Sequence, residues 1–272
     1  MTFIRIMTLN NFNTTPAADI EHVSDVWANR AAFNVKTIKR YEPDLIGFQE
    51  FEPEHWATYQ HEFTDYQTIL PTEYGEGTAI FWKAERFALL DHGFVGLLAQ
   101  ELPHLTDLED DALLSTTWVK LRCQQSGLAF IYLNTHLNDA SEGANWAGHE
   151  RNLQKLADLD HAGTLPILMG GDFNCNPWSS VYRSLLKAGF VDTYRAAGHA
   201  DSVEASTFHG FRGVNYFALE WGGSVFWRVD WIMARAGEEP LQTLSCTIVR
   251  DAEPPVFVSD HYPVVTELLI GE

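Results

Sequence analysis

Polar side chains adjoin apolar, strand-like runs at five places in this sequence. They are Asn10 after IMTL, Glu50 after LIGFQ, Asn134 and His136 after FIYL, Asp172 and Asn174 after PILMGG, and Asp260 and His261 before YPVV. A single acid at a strand end is usually a turn residue or a helix cap. Five such ends can instead converge on one pocket, and we expect them to do so here.

The residue types in this set indicate a particular chemistry. Hard oxygen ligands such as Glu50 and Asp260 suit Mg²⁺ or Mn²⁺, whereas a set of only His or Cys would indicate zinc. A carboxylate such as Asp172 can orient or deprotonate a water molecule. Neutral Asn174 and protonated histidines can donate hydrogen bonds to phosphate oxygens. Together these groups are typical of metal-assisted phosphoester hydrolysis.

The elements that must position these residues are mostly strands. Apolar runs rich in β-branched and aromatic residues predict strands at 3–9, 44–50, 77–83, 87–93, 116–123, 128–137, 165–169, 228–234, 244–250 and 262–270. Amphipathic spacing predicts helices at 20–41, 144–161 and 178–188. We therefore expect an α/β fold with two packed, mainly antiparallel sheets flanked by helices, in a single domain over residues 1–272. The long loops 99–115 and 198–226 are expected to be functional.

The composition narrows the class of partner and the compartment. A net charge of −19 disfavours tight binding of long nucleic acids, which depends on Lys and Arg. The 3 cysteines are too scattered for a metal motif and odd in number, which favours reduced thiols and a cytoplasmic location. The first residues read as a strand rather than a leader, and no apolar run approaches the roughly 18 residues of a membrane span.

Six motifs resemble, in order along the chain, those of the endonuclease/exonuclease/phosphatase superfamily. They are MTLNNFN, DLIGFQE, NTHLND, GGDFNCNP, VDWI and SDHYPVV. The resemblance spans almost the whole chain. It extends to a bacterial subgroup of the superfamily whose substrates are poorly defined. It implies a four-layer α/β sandwich of the DNase I-like type and a metal-dependent phosphoesterase activity.

The resemblance implies a metal site for Mg²⁺ or Mn²⁺. Glu50 matches the acidic metal ligand of the family, and Asp260 matches the second acidic residue near the metal. Asn10 lies beside Glu50, either as a further ligand or as a supporting hydrogen-bonding residue.

The resemblance also implies the catalytic roles. Asp172 matches the residue that positions or activates the attacking water, and Asn174 matches its partner that holds the scissile phosphate. His261 matches the imidazole that contacts the phosphate, and Asp230 matches the carboxylate that orients it. His136 matches a second histidine that faces the phosphate.

Four further residues are predicted to bind substrate, each with an alternative. Glu76 resembles an acid that pairs with the second histidine, or it is a solvated loop residue. His209 and Arg212 in STFHGFRG line the substrate pocket or belong to a glycine-flanked loop. Arg30 in VWANR reaches the phosphate or lies on the surface of its helix.

Three functions remain open at this point. The leading hypothesis is a Mg²⁺-dependent phosphoesterase that hydrolyses a small soluble organic phosphate, monoester or diester, by in-line attack of an activated water. The alternative is a metal-dependent nuclease for short or single-stranded nucleic acid. A non-catalytic binding protein would have lost its site residues, yet all of them are present. The sequence predicts neither the oligomeric state nor the substrate itself.

Overall fold

Two six-stranded β-sheets form the centre of the molecule in a computed structural model, which describes residues 1–14, 23–70, 77–102, 112–138, 141–213 and 228–271. The strands are β1 (Thr2–Asn10), β2 (Leu45–Phe51), β3 (Tyr66–Ile69), β4 (Gly77–Lys83), β5 (Phe87–Leu98), β6 (Ala112–Cys123), β7 (Ala129–Leu137), β8 (Ile167–Asp172), β9 (Val191–Asp192), β10 (Asp230–Arg235), β11 (Leu241–Ile248), β12 (Ala252–Glu253), β13 (Val256–Phe257) and β14 (Val264–Ile270). The helices are α1 (Trp27–Tyr41), α2 (Pro53–Glu62), α3 (Glu142–Leu159), α4 (Ser180–Lys187) and α5 (Thr193–Ala196). None of the described helices is both long and apolar enough to cross a membrane.

Each sheet is built around one parallel pair of strands. The first sheet has the order β11-β14-β1-β2-β4-β3, and the second has the order β5-β6-β7-β8-β10-β9. The pairs β1–β2 and β7–β8 are parallel, and the other neighbours are antiparallel. A parallel pair needs a crossover connection, which α1 supplies in the first sheet and α3 in the second.

Three apolar cores separate four layers of secondary structure. Phe130 and Leu168 belong to the core between the two sheets. Leu156 of α3 lies in the core on the outer face of the second sheet. Ile38 of α1 and Tyr59 of α2 lie in the core on the outer face of the first sheet. The predicted four-layer sandwich of two sheets with flanking helices is therefore confirmed.

Most predicted strands are present, with shifted bounds. β8 continues past the predicted end at 169 through two glycines to Asp172, and β6 begins inside the predicted loop 99–115. Within the described residues the first helix begins at Trp27, after a short 3-10 turn. Two elements are additional to those predicted. Helix α2 begins with a capping box at Glu52. Strand β3 is a short, half-exposed edge strand.

The topology brings six strand ends to one end of the sandwich. β1 and β2 are parallel and finish there, as do β7 and β8. β10 and β14 run antiparallel to β8 and β1 and therefore begin at the same end. The motif residues at these strand ends are brought together for this reason.

Asn134 fixes the two sheets relative to each other near that end. It lies on β7 of the second sheet, and its amide nitrogen donates to the backbone carbonyls of Phe48 (2.7 Å) and Ala79 (2.9 Å) in the first sheet. Its amide oxygen accepts from Gln49, also of the first sheet, at 2.5 Å. Asn134 is fully buried, so these bonds replace water and hold the two sheets in a defined position.

Gly171 of β8 makes the closest backbone approach at this end of the sandwich. Its φ of 145° is unfavourable for L-residues, and a Cβ atom there would lie 1.9 Å from the carbonyl oxygen of Thr135 on β7. The second glycine of the GGDFN motif therefore lets β8 pass β7 immediately before Asp172.

Candidate active site

Asp172 lies at the centre of the site and is contacted from four directions. One carboxylate oxygen accepts the backbone N–H of Asn174 at 2.8 Å. The other accepts the amide of Asn10 at 3.1 Å and lies 3.7 Å from Nε2 of His261 and 3.8 Å from Nε2 of His136. The side chain is almost fully buried. The sequence motifs at four strand ends therefore meet at one carboxylate.

The surroundings of Asp172 make its carboxylate more basic. Burial raises its pKa, and the negative charge of Asp230 raises it further. The two histidines and the N–H of Asn174 oppose this shift. The net effect is a raised pKa, which suits a group that accepts a proton from water.

His261 and Asp230 form a buried hydrogen-bonded pair. Nδ1 of His261 lies 2.8 Å from Oδ2 of Asp230, and both side chains are buried. Burial alone would lower the pKa of His261, but the negative charges of Asp230, Asp260 and Asp172 raise that pKa well above its ordinary value. The raised pKa favours the imidazolium form of His261, whose Nε2 faces Asp172.

Asn10 joins the acid of β2 to the acid of β8. Its amide nitrogen donates to Glu50 at 2.8 Å as well as to Asp172, while its amide oxygen accepts the N–H of Phe12 at 2.9 Å. The other oxygen of Glu50 accepts the N–H of Asn13 at 2.9 Å. These bonds favour the hydrogen-bonding role of Asn10 over the role of metal ligand.

Two site residues adopt the left-handed backbone region. Glu50 has a φ of 50° and Asn174 has a φ of 46°. Glu50 lies where the register between β2 and β4 shifts between Phe48 and Phe51. A bulge of this kind re-aims one side chain of a strand. Strained conformations of this type concentrate at functional sites, because the surrounding structure must enforce them.

Asp260 supplies a second acid beside Glu50. Its carboxylate accepts the hydroxyl of Ser259 at 3.0 Å. Burial raises its pKa to about 6, and the charge of Glu50 adds to that rise, against the opposing effects of His261 and Arg30. Glu50 and Asp260 are half-buried acids that repel each other. A hard divalent cation bound between them would relieve this repulsion.

A second group of ligand-type atoms fits a metal less well. Atoms of Asp172, Asp230 and His261 lie within 4.8 Å of one another. The hydrogen bond between His261 and Asp230 already uses one atom of each. We therefore place the candidate metal site at Glu50 and Asp260.

Asn174 and His136 lie on the open side of Asp172. The amide nitrogen of Asn174 donates to the carbonyl of Leu137 at 2.7 Å and lies 3.2 Å from Nε2 of His136. Both side chains are half-buried. They can therefore contact a phosphate group that enters the site.

Arg30 lies in a place that the sequence analysis did not predict. It is fully buried, and its guanidinium donates to the backbone carbonyls of Asn11, Phe12 (2.7 Å) and Asn13 (3.3 Å). It therefore neither lies on the helix surface nor reaches a substrate, and both readings are corrected. Arg30 instead fixes the backbone that follows Asn10.

The other predicted substrate contacts divide three ways. His209 is buried, and the centre of its ring lies 4.0 Å from that of the Tyr262 ring. Its Nδ1 accepts the N–H of Gly213 at 3.3 Å. His209 therefore does not line the pocket, and that prediction is corrected. Arg212 is exposed. Glu76 lies outside the residues that the structure describes.

Two positioning side chains hold the strand ends in place. Asn145 of α3 donates to the carbonyls of Phe173 (2.8 Å) and Asn138 (3.1 Å), and so joins the ends of β7 and β8. Thr207 accepts two backbone N–H groups at the start of β10. Thr207 has no local sequence signal, although it lies two residues before His209 in STFHGFRG.

The four-layer fold and this cluster of acids, amides and histidines define a metal-dependent phosphoester hydrolase. A family model for the Endonuclease/Exonuclease/phosphatase family matches residues 27–261. The chain belongs to this family, whose members are metal-dependent enzymes that act on phosphoester bonds.

Individual relatives share only low sequence identity with this chain. Human Nocturnin is 25% identical over 173 residues, which cover 58% of this chain and 38% of Nocturnin, so the chain matches well under half of that relative's length. A mannosyl-6-phosphatase from Bacteroides thetaiotaomicron has a TM-score of 0.79 at 19% identity, covering 98% of this chain and 99% of that one. D. rerio TDP2 in complex with a single-strand DNA product has a TM-score of 0.73 at 15% identity, covering 99% and 100%. At these identities the structural matches show the fold alone.

Proposed function

We propose that this chain is a Mg²⁺- or Mn²⁺-dependent phosphoesterase that hydrolyses a small soluble organic phosphate. The observation that supports the proposal most is the set of contacts around Asp172. Asn10, Asn174, His136 and His261 all face this buried carboxylate within 4 Å. An aspartate with only a structural role does not need so many polar side chains around it. An aspartate that orients a water molecule beside a phosphate does.

Glu50 and Asp260 would hold the cation, and Asn10 would keep Glu50 in place. When bound, the cation would polarise a phosphoryl oxygen and stabilise the leaving oxygen. The all-oxygen donor set favours Mg²⁺ or Mn²⁺ over zinc.

The remaining side chains divide the chemical work. Asp172 orients the attacking water and accepts its proton, which its raised pKa favours. Asn174 and His136 donate hydrogen bonds that hold the phosphate. The imidazolium of His261 stabilises the charge that builds on the phosphoryl oxygens, and Asp230 keeps that imidazolium oriented. Water attacks phosphorus in line with the leaving oxygen, and no covalent enzyme intermediate forms.

Charge and shape favour a compact substrate. The net charge of −19 opposes the approach of a long polyanion. The ring of Phe208 is half-buried and lies 4.9 Å from the ring of His261, so it offers an apolar surface beside the phosphate position. A sugar or another ring attached to the phosphate would cover this surface. The shared fold with a mannosyl-6-phosphatase supports the same choice.

The alternative is a nuclease for short or single-stranded nucleic acid. The shared fold with TDP2 in complex with single-strand DNA product favours this reading. Nucleic-acid binding would give activity that falls steeply as salt rises, because each phosphate contact releases counterions. A small sugar phosphate would show a much weaker dependence.

We also infer a single domain over residues 1–272 and a cytoplasmic location. The cysteines Cys123, Cys175 and Cys246 are all free thiols, which is usual in a reducing compartment.

The test is an activity panel with Mg²⁺ over sugar phosphates, nucleotides, inositol phosphates, phospholipid head groups and oligonucleotides. His261→Ala is compared with His92→Ala, which changes an exposed histidine on β5. We expect phosphate release from small substrates, lost in His261→Ala and in EDTA but kept in His92→Ala. Activity on oligonucleotides alone would favour the nuclease. Inactivity of the wild-type protein on every substrate, or activity that resists EDTA, would contradict the proposal.

A further inference from the structure

We propose that Thr207 is a positioning residue for catalysis, which holds Asp230, and through it His261, in place. The proposal rests on the roles proposed above for Asp230 and His261. Thr207 is fully buried, and its hydroxyl oxygen accepts the backbone N–H groups of Val229 (3.0 Å) and Asp230 (3.1 Å). One side-chain oxygen therefore binds two consecutive residues at the start of β10.

Thr207 supplies a hydrogen-bond acceptor that the neighbouring strand β9 does not supply. Asp230 is the first residue of β10 and pairs with Asp172 of β8 on one side. On the other side β9 pairs only with Met233 and Ala234, and so does not extend to Asp230. The Thr207 hydroxyl accepts the N–H of Asp230 instead, and so fixes the backbone that carries the Asp230 carboxylate.

The same segment also binds the backbone around His261. The carbonyl of Thr207 accepts the N–H of Tyr262 at 2.7 Å, and Phe208 forms an antiparallel β-bridge with His261. The N–H groups of His209 (2.8 Å) and Gly210 (3.1 Å) both donate to the carbonyl of Asp260. We call residues 207–210 the clamp segment, because they bind both partners of the Asp230–His261 pair.

The geometry explains why the threonine hydroxyl matters for the reaction. Asp230 and His261 lie 31 positions apart in the chain, and their contact of 2.8 Å sets the direction in which Nε2–H points. The clamp segment joins the two backbones directly. A loss of the hydroxyl would free the start of β10, and displacements of about 1 Å in a catalytic group cost roughly 100-fold in rate.

Thr207→Val and Thr207→Ser separate the hydroxyl from the shape of the side chain. Valine keeps the shape and removes the acceptor, whereas serine keeps the acceptor. We expect Thr207→Val to lower kcat by about 10- to 100-fold with KM changed less than about threefold, and Thr207→Ser to recover most of kcat.

The matched control is Thr193→Val. Thr193 is equally buried, and its hydroxyl bonds to the carbonyl of Ile232 (2.7 Å) and the hydroxyl of Thr266 (2.8 Å). We expect this variant to lose stability in urea, as Thr207→Val does, but to keep kcat within about threefold of wild type. Equal losses of kcat in the two variants would overturn the positioning role.

A measurement without substrate distinguishes this inference from the proposed function. The proton on Nδ1 of His261, held by Asp230, is expected to give a downfield proton NMR signal that His261→Ala removes. Thr207→Val should shift or broaden this signal, and Thr207→Ser should keep it. An unchanged signal in Thr207→Val overturns the inference, whatever the activity of the wild-type protein. Full activity in His261→Ala would instead refute the proposed function.

Discussion

Replacing Asp230 by asparagine removes one negative charge from the buried pair with His261 and keeps the shape of the side chain. The contact spans 2.8 Å, and both side chains are buried, so its loss removes a charge-assisted hydrogen bond. Such bonds contribute about 1.5 to 3 kcal/mol. The pKa of His261 should also fall, because Asp230 is the strongest of the charges that raise it. If the bond stabilises the transition state, kcat should fall by about 10- to 150-fold.

A double-mutant cycle measures whether Asp230 acts through His261. Initial rates of phosphate release at saturating Mg²⁺ are compared for wild type, Asp230→Asn, His261→Ala and the double variant. We expect Asp230→Asn to add little further loss once His261 is gone, since the two residues work as one unit. An unchanged kcat in Asp230→Asn, or an equal loss in both backgrounds, would refute the reasoning.

Three further changes test separate parts of the structure. Gly171→Ala should lower the free energy of unfolding by at least about 3 kcal/mol, because the new Cβ would meet the Thr135 carbonyl. The control Gly127→Ala has a positive φ but open space around it, and should cost about 1 kcal/mol. Equal losses of stability in urea unfolding would contradict the close approach at Gly171. His149 is buried, and burial lowers its pKa to about 4. The folded state therefore loses roughly 3 kcal/mol of stability as the pH falls from 6.5 to 4. His149→Gln should make this loss smaller when urea unfolding at pH 7 is compared with unfolding at pH 4.5. Glu50→Gln should raise the Mg²⁺ concentration for half-maximal activity by at least about tenfold, and an unchanged Mg²⁺ titration would exclude Glu50 as a ligand.

The strand-end residues were the part of the site that the sequence could predict. Apolar runs are visible in the sequence, and the residues directly before or after such a run lie at the end of a strand. Asn10, Asp172 and His261 therefore followed from pattern and motif, and the structure brings them together.

Features that depend on distant contacts could not be predicted in this way. Arg30 has the local pattern of a surface residue, and only the fold shows that the backbone after Asn10 surrounds it. The bulge at Glu50 depends on the register with β4, which the sequence of β2 does not contain. The hydroxyl of Thr207 finds its partners more than 20 residues away, beyond the reach of local periodicity.

The two sheets repeat one plan. The run β1-α1-β2-α2-β3-β4 corresponds to β7-α3-β8-α4-β9-β10, apart from the short helix α5 between β9 and β10. The strands β14 and β11 flank β1 as β6 and β5 flank β7. The molecule thus has two half-domains of equal strand order that pack face to face, and the first combines strands from both ends of the sequence. One half supplies Asn10, Glu50, Asp260 and His261, and the other supplies His136, Asp172 and Asp230. The proposed reactive centre is therefore shared between the two repeats, because the proposed cation ligands come from one and the proposed water-handling Asp172 from the other.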